Sequence, residues 1–292
     1  AAAVAGAATA IGALTTKAIE GYAAQEQLVG GVETLFKTSS DTVVGYANDA
    51  YKTAGMSANE YMETVTSFSA SLLASMNNDT AAAAEKANVA ITDMSDNANK
   101  MGTDISLIQN AYNGFAKQNY TMLDNLKLGY GGTKEEMQRL LDDASKLSGI
   151  KYDISSYSDV VDAIHVVQTE MGITGTTAKE ASTTIEGSVS SMSSAWDNWV
   201  AGMADSEANF SQLTSNLVDS IVTVVGNIAP RVIETVPRLV SGLGEIVEQL
   251  ATYIPQVIQE LLPPLMSGVQ DLLNTLVGML PEMISIIGQI IP

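Results

Sequence analysis

His165 is the single histidine of this 292-residue chain, and there is no cysteine. It stands in Asp162-Ala-Ile-His165-Val-Val, so a Ser–His–Asp relay would have to draw its other members from the surrounding Ser and Asp residues. No usable nucleophile elbow, Walker A loop or EF-hand loop accompanies it. One histidine also rules out a zincin pair, a three-histidine zinc site and a two-histidine iron triad. Without cysteine there is no disulfide framework, thiolate zinc site or cysteine nucleophile. The expectation for His165 is therefore a helix-packed or surface side chain. Gly129-Tyr-Gly-Gly132 has the glycine content of a phosphate-cradling loop, but it leads into Thr133-Lys-Glu-Glu136. An acidic first helical turn disfavours a bound anion, so this run is expected to be a turn between helices. Asp142 and Asp143 read as part of a solvated helix face, and nothing supports a lysozyme-like glutamate. No catalytic, cofactor-binding or metal-ligating residue is assigned, and the chain is expected not to be an enzyme.

The elements that would position any such chemistry follow from composition. Thirty-three acids against 14 Lys and Arg give a net charge of −19, which repels a phosphate backbone and excludes specific nucleic-acid binding. Apolar residues make up 46%, yet aromatics only 5%, and much of the remainder is Ala. Alanine favours helix but buries little area per residue. The length suits one large or two ordinary domains. The chain begins Ala-Ala-Ala-Val and reads as a segment of a longer polypeptide. Residues 1–16 lack the basic start and Leu-rich core of a signal peptide.

All seven prolines fall between Pro230 and Pro292. A proline-free stretch rich in Ala, Met, Lys, Glu and Gln can be helical almost throughout. Residues 1–218 hold 26 acids and 12 bases, whereas 219–292 hold 7 and 2. Ser57…Glu60 and Thr133…Glu136 have capping-box spacing, while Asp79 and Ser156 or Ser158 suit simple caps. Gly55, Gly102, Gly129–Gly132, Gly149, Gly172 and Gly175 mark breaks. These signals predict helices near 2–36, 41–53, 58–76, 80–99, 103–127, 134–147, 157–170 and 176–226. They suggest three parts: an N-terminal helical or coiled-coil-like segment (1–55), a domain of short capped helices and one long helix (56–218), and an apolar tail (219–292). The fold class is all-α, expected as an elongated helical bundle or coiled-coil-like assembly with Pro-kinked apolar hairpins at its C-terminal end.

Tyr61, Val65, Phe68 and Leu72 form one stripe, and Ile11, Leu14, Ala18, Gln25, Leu28, Val32 and Leu35 lie on a heptad-like grid. Such stripes suit an ordinary bundle core or, alternatively, association between copies. Leu28, Leu35, Tyr61, Val65, Phe68, Leu72, Trp196 and Trp199 are the candidate self-association residues. Narrow faces favour a homo-oligomer of three copies over six.

The tail repeats at 25–26 residues: Pro230 to Gly242, Pro255 to Gly268, and Pro281 to Gly288. Each unit reads as Pro at a first helical turn, an apolar helical run, then a second Pro or Gly that breaks or kinks the helix. Such units must stack on one another, on other copies or in lipid. No charge-free run reaches the roughly 18 residues of a simple span. Leu272–Pro292 comes nearest, interrupted by Glu282. Protein packing and conditional membrane insertion both stay open. The candidate membrane or tip-docking residues are Pro230, Pro237, Pro255, Pro263, Pro264, Pro281, Leu272, Leu273, Ile286 and Ile287.

Long blocks then carry a resemblance. Tyr22 to Phe36 (YAAQEQLVGGVETLF), Ala50 to Phe68 (AYKTAGMSANEYMETVTSF), Asp96 to Gly102 (DNANKMG), and Asn110 to Met137 (NAYNGFAKQNYTMLDNLKLGYGGTKEEM) resemble tail tape measure proteins of phages and prophages of Gram-positive bacteria. Val161 to His165, Gly175 to Ala181 and the Pro-punctuated tail continue the likeness over nearly the whole chain. The resemblance implies a non-enzymatic, mostly helical virion protein in the tail-tube lumen towards the tip, which templates tube assembly and length. It implies expulsion ahead of the genome and help with passage across the host membrane or envelope. The implied partners are sister copies, the tail tube protein, the tail tip or baseplate hub, distal tail proteins and the host membrane; no cofactor is implied. Some members carry peptidoglycan-cleaving domains, but the multi-histidine pattern of a zinc endopeptidase is missing here. An α-helical pore-former and a peptidoglycan hydrolase are the alternatives, the latter unsupported by any motif.

Overall fold

Local capping chemistry sets most of the helix starts. The computed structural model of the chain describes residues 2–253, 267–268 and 270–271, and every regular element among them is helical. The chain is all-α. Its helices are α1 (Ala2–Phe36), α2 (Ser40–Thr53), α3 (Ala58–Ser75), α4 (Thr80–Met101), α5 (Ile105–Phe115), α6 (Lys134–Ser148), α7 (Tyr157–Glu170), α8 (Thr176–Thr183), α9 (Ile185–Gly202) and α10 (Phe210–Tyr253). A 3₁₀ turn at Lys37–Ser39 joins α1 to α2, and another spans Leu123–Leu126. Ser57 and Glu60 form a reciprocal capping box at α3. The Asp79 carboxylate accepts from the amides of Ala81 and Ala82, and the Ser156 hydroxyl from that of Asp159. Gly102 and Gly149 close α4 and α6 in the left-handed conformation that glycine tolerates.

Two expected helices are corrected. The stretch 103–127 is helical only to Phe115. The Asn119 amide then bonds back to the Gly114 carbonyl at 2.9 Å, and the Asn119 side chain accepts from the Thr121 amide at 3.1 Å. This Asn-centred turn redirects the chain so that Tyr120, Leu123 and Leu126 all become buried. The stretch 176–226 is three helices and not one. Thr184 adopts an extended conformation and caps α9 through Gly187, while Asp205 and Asn209 accept local amides in the 203–209 connection.

Contacts divide the chain into two units, Ala1–Val224 and Val225–Pro292, and the division falls within α10. In the first unit α4 lies at the centre, touching α1, α2, α3, α5, α7 and α8. Its Ala83, Ala84, Ala87 and Ala90 are all buried, and small side chains let neighbouring helices come close. The core gathers Val32 and Phe36 of α1, Val43 and Ala47 of α2, and Tyr61, Val65, Phe68 and Leu72 of α3, with apolar faces of α5, α6 and α7. Residues from both 1–55 and 56–218 thus share one core. A smaller cluster joins Tyr51, Ala195 and Leu217, with Met192, Trp199 and Ile221 against it.

In the second unit, the part described is chiefly the remainder of α10. Pro230 and Pro237 lie inside this helix, not at its first turn as expected, and the helix continues through both. Each proline withholds an amide from the carbonyl four residues earlier. Val232, Ile233, Leu239, Val240 and Ile246 are exposed here. Pro255, Pro263, Pro264, Pro281, Leu272, Leu273, Ile286 and Ile287 lie outside the described residues.

α8 and α9 come close at Gly187, where an added Cβ would stand 2.5 Å from the main-chain carbon and oxygen of Glu180. Gly187→Ala should therefore destabilise the chain by about 1–3 kcal/mol, the usual cost of overpacking. The expected readout is an earlier urea midpoint at unchanged slope. An unchanged midpoint would mean that α9 can move away from α8 at no cost.

Candidate functional site: a buried polar face and two clefts

The second half of α4 turns a polar face inward. Asp93, Asp96 and Asn97 are each at most 1% exposed, and their spacing of three and four places them on one side of the helix. Ionised side chains are almost never buried so fully without partners. Both oxygens of Asp93 bond the Nδ1 of His165 on α7, at 3.0 and 2.9 Å. Two turns earlier Lys86 pairs with Asp162, again from α4 to α7. Asp96 accepts the amides of Gly175 at 2.6 Å and Thr177 at 2.8 Å. Gly175 is the N-cap of α8, with φ 82° and no side chain to cap with. A carboxylate from another helix therefore does that work, at the helix end where negative charge is stabilised. The Asn97 amide donates to the Leu126 carbonyl at 3.0 Å. One face of α4 thus fastens α7, α8 and the 123–126 turn.

Asp93 raises the His165 pKa by hydrogen bonding to the charged imidazolium, against partial burial that opposes it. Burial pushes the Asp93 carboxyl above the usual carboxylate range, with His165 pulling it back. Burial also pushes the Tyr112 and Tyr157 phenols far up, so both stay neutral. Those two hydroxyls, both amide atoms of Gln168 and the Oδ1 of Asn97 have no hydrogen-bond partner among the described residues. The His165–Asp93 pair has the orientation of two members of a catalytic relay. Among the described residues no hydroxyl is paired with the other imidazole nitrogen. No group of three or more metal-binding side chains occurs among the described residues.

Two clefts open on the first unit. One, of about 580 Å³, lies among α3, α4, α5, α8 and α9. It is lined by Asn99, Asn110, Glu63 and Glu186, and by the Ser95 and Thr177 hydroxyls, which are buried and unpartnered. The other, of about 690 Å³, is bounded by α1, α2, the start of α3, α9 and residues 205–216. Trp196 on its wall packs against Trp199 with ring centres 5.3 Å apart, and Trp199 stacks on Phe210 at 5.6 Å.

The residues singled out in the sequence are distributed as follows. Tyr61, Val65, Phe68 and Leu72 are fully within the core, while Leu28 and Leu35 are half-buried against it. Burial of such side chains stabilises by roughly 1.5–3 kcal/mol each. As a self-association surface the α3 stripe is therefore corrected: it is occupied by the chain's own packing. Trp199 is half-buried, Trp196 is exposed, and Pro230 and Pro237 are exposed on α10. Gly129–Gly132 is a turn between helices, as expected, and its Gly131 amide is taken by the Glu136 carboxylate at 3.0 Å. Arg139 and that amide hold the Glu136 pKa down at about 2. Asp93 and Asp96 were not legible as site residues. Their one sequence signal is a pair of acids three residues apart on an otherwise Ala- and Met-rich helix, which reads equally well as solvated. Comparison with protein-family models, curated proteins and solved structures finds no match to this chain.

Asp96→Ala leaves two amides of α8 without their acceptor. It should cost about 1–3 kcal/mol and speed hydrogen exchange at residues 177–180 selectively. Uniform acceleration across the first unit would contradict this local role.

For the His165–Asp93 pair the pH window follows from the raised histidine pKa. The charged pair contributes most below the unfolded histidine pKa, near 6.5, and its contribution is lost as pH rises through the folded value. With the imidazole still partly exposed, His165→Asn should cost roughly 1–3 kcal/mol at pH 6 and less at pH 9. Melting curves of both proteins across that range would test it; a gap that widens with pH would refute the assignment.

Proposed function

We propose that this chain is a segment of a phage tail tape measure protein, a non-enzymatic structural component of the tail-tube lumen. The observation that carries this reading is the contrast along α10. Its first turns close a core, whereas Val232, Ile233, Leu239, Val240 and Ile246 remain exposed beyond the division at residue 225. An exposed apolar row of that extent needs cover from another surface. The sequence resemblance names the assembly that would supply it: sister copies around an axis, with the tube wall and tip hub. Three copies are favoured because a helix with one such row needs one neighbour on each side. The acidic charge of −19 also suits a filler that must not hold DNA as it passes. In this role the chain templates tube assembly, leaves before the genome and helps it across the host membrane.

A second reading, a membrane-inserting helical pore-former, is favoured by one observation. Phe210–Ile246 is long and apolar enough to cross a bilayer by length and composition. Its acidic and basic residues would then face a water-filled centre.

The test uses the full chain and the particle encoded with it. Sedimentation equilibrium should give a concentration-dependent trimer that Ile233→Glu with Leu239→Glu returns to monomer. Removing this segment in frame should leave tails missing or defective at the tip, with length not rescaled by about 1.5 Å per deleted residue. Normal tails without the segment would overturn the structural reading. Dye release from liposomes by a chain that remains monomeric in solution would favour the pore-former instead.

A further inference from the structure

The cleft beside Trp196 combines a braced aromatic plane with pre-oriented amides and an excess of carboxylates, and no part of the assembly reading uses it. Trp196 lines the cleft and keeps 42% of its surface exposed. It is not a loosely held side chain. Trp199 packs behind it, Phe210 stacks on Trp199, and the Trp199 indole donates to the Thr214 hydroxyl at 3.1 Å. An indole face is apolar yet electron-rich, and it suits a flat ligand whose C–H groups are slightly positive.

The amides around it are fixed by bonds that each engage one end. The Asn198 Oδ1 accepts from the Ala58 amide at 2.7 Å, which leaves its Nδ2 as donor. Asn59 donates its Nδ2 to the Gly21 carbonyl at 3.0 Å, which leaves its Oδ1 as acceptor. Gln212 donates to Asn216 at 2.9 Å, leaving an acceptor on Gln212 and a donor on Asn216. The cleft therefore offers both donors and acceptors, on side chains that one bond each already holds. Vicinal hydroxyls, each both donor and acceptor, match such a set.

Charge narrows the ligand further. Glu20, Asp197, Asp205 and Glu207 line the cleft against the single cation Lys17. A nucleotide would also stack on indole, but its phosphate is repelled by this rim and by the chain as a whole. A purely apolar ligand would strip water from the amides with no return. The volume of about 690 Å³ lies within the range of roughly 300–1,000 Å³ of small-molecule sites.

We propose that this cleft binds a neutral oligosaccharide, one pyranose ring lying on Trp196 and its hydroxyls bonded by Asn198, Asn59, Gln212 and Asn216. Asp197 accepts a further hydroxyl at the edge. The binding is independent of whether the chain works inside a phage tail.

Trp196 and Trp199 are the only tryptophans of the chain, so intrinsic fluorescence reports on this site directly. The full chain is titrated with chitotriose, cellotriose and maltotriose, and separately with a sulfated trisaccharide, by fluorescence and calorimetry. At least one neutral trisaccharide should give a saturable spectral shift with matching heat, while the sulfated one binds more weakly, increasingly so at low salt. Trp196→Ala should weaken binding by at least about tenfold while the circular dichroism spectrum shows the chain still folded. Gln212→Ala, on the surface of α10, should weaken it without touching the aromatic stack, and Trp196→Phe should retain part of it. Absence of shift and heat with all three neutral sugars at millimolar concentration overturns the proposal, as does undiminished binding by a folded Trp196→Ala chain. Displacement of a cleft-bound hydrophobic dye by none of the sugars would identify an apolar site and overturn it equally.

Discussion

Burying two carboxylates and a carboxamide on one side of α4 obliges the rest of the first unit to present donors at matching places. An unpaired buried carboxylate costs several kcal/mol, more than one apolar contact returns. The helices around α4 are therefore positioned by hydrogen bonds as much as by apolar packing. α7 brings His165 to Asp93, α8 begins where Asp96 can cap it, and the 123–126 turn sets its Leu126 carbonyl against Asn97. Apolar burial brings the helices together but has little directional preference. The polar face selects one register among the packings that burial alone would allow.

That selection explains how a chain with so few aromatics keeps a definite core. Alanine in the first half of α4 contributes little area per residue, but it lets neighbouring helices approach closely, and the few large side chains fill what remains. Phe68 meets Tyr157 edge-on at 6.2 Å, and Tyr112, Phe115 and Tyr120 form a second aromatic chain. The hydroxyls of these rings are put to different uses. Tyr120 donates to the Ile154 carbonyl at 2.9 Å, whereas the buried hydroxyls of Tyr112 and Tyr157 have no partner among the described residues. α4 and the helices packed on it thus carry both long-range polar bonds and buried polar groups without a partner among the described residues.

Both functional proposals rest on surfaces that this interior leaves over. Beyond residue 225 α10 exposes an apolar row, for which the proposed assembly would supply cover. The Trp196 cleft has an aromatic plane that the core did not absorb, held in place by neighbours that it did. The two features differ in chemistry. The first is broad, apolar and indifferent to fine geometry, as association between copies requires. The second is small, polar and pre-oriented, as recognition of a discrete ligand requires.

Periodicity and capping made the helical class and most element starts legible from the sequence. Ser57, Asp79, Thr133 and Ser156 are local devices whose hydrogen bonds close within three residues, so no knowledge of distant packing is needed to read them. The left-handed glycines at 55, 102, 129, 149, 172 and 175 are legible for the same reason. The breaks at Asn119, Thr184 and residues 203–209 were not, because their turn chemistry uses Asn, Thr and Asp, residues that helices also tolerate. The stripe on α3 could be read as apolar but not as internal, since one helix face fits its own core or a sister copy equally well. Prolines marked the change of grammar after residue 229 but did not end the helix, which runs through Pro230 and Pro237. Only tertiary structure decided the fate of Asp93 and Asp96. Their partners lie 72 to 81 residues away, and a carboxylate on a helix face carries no sign of whether water or a distant amide will bond it.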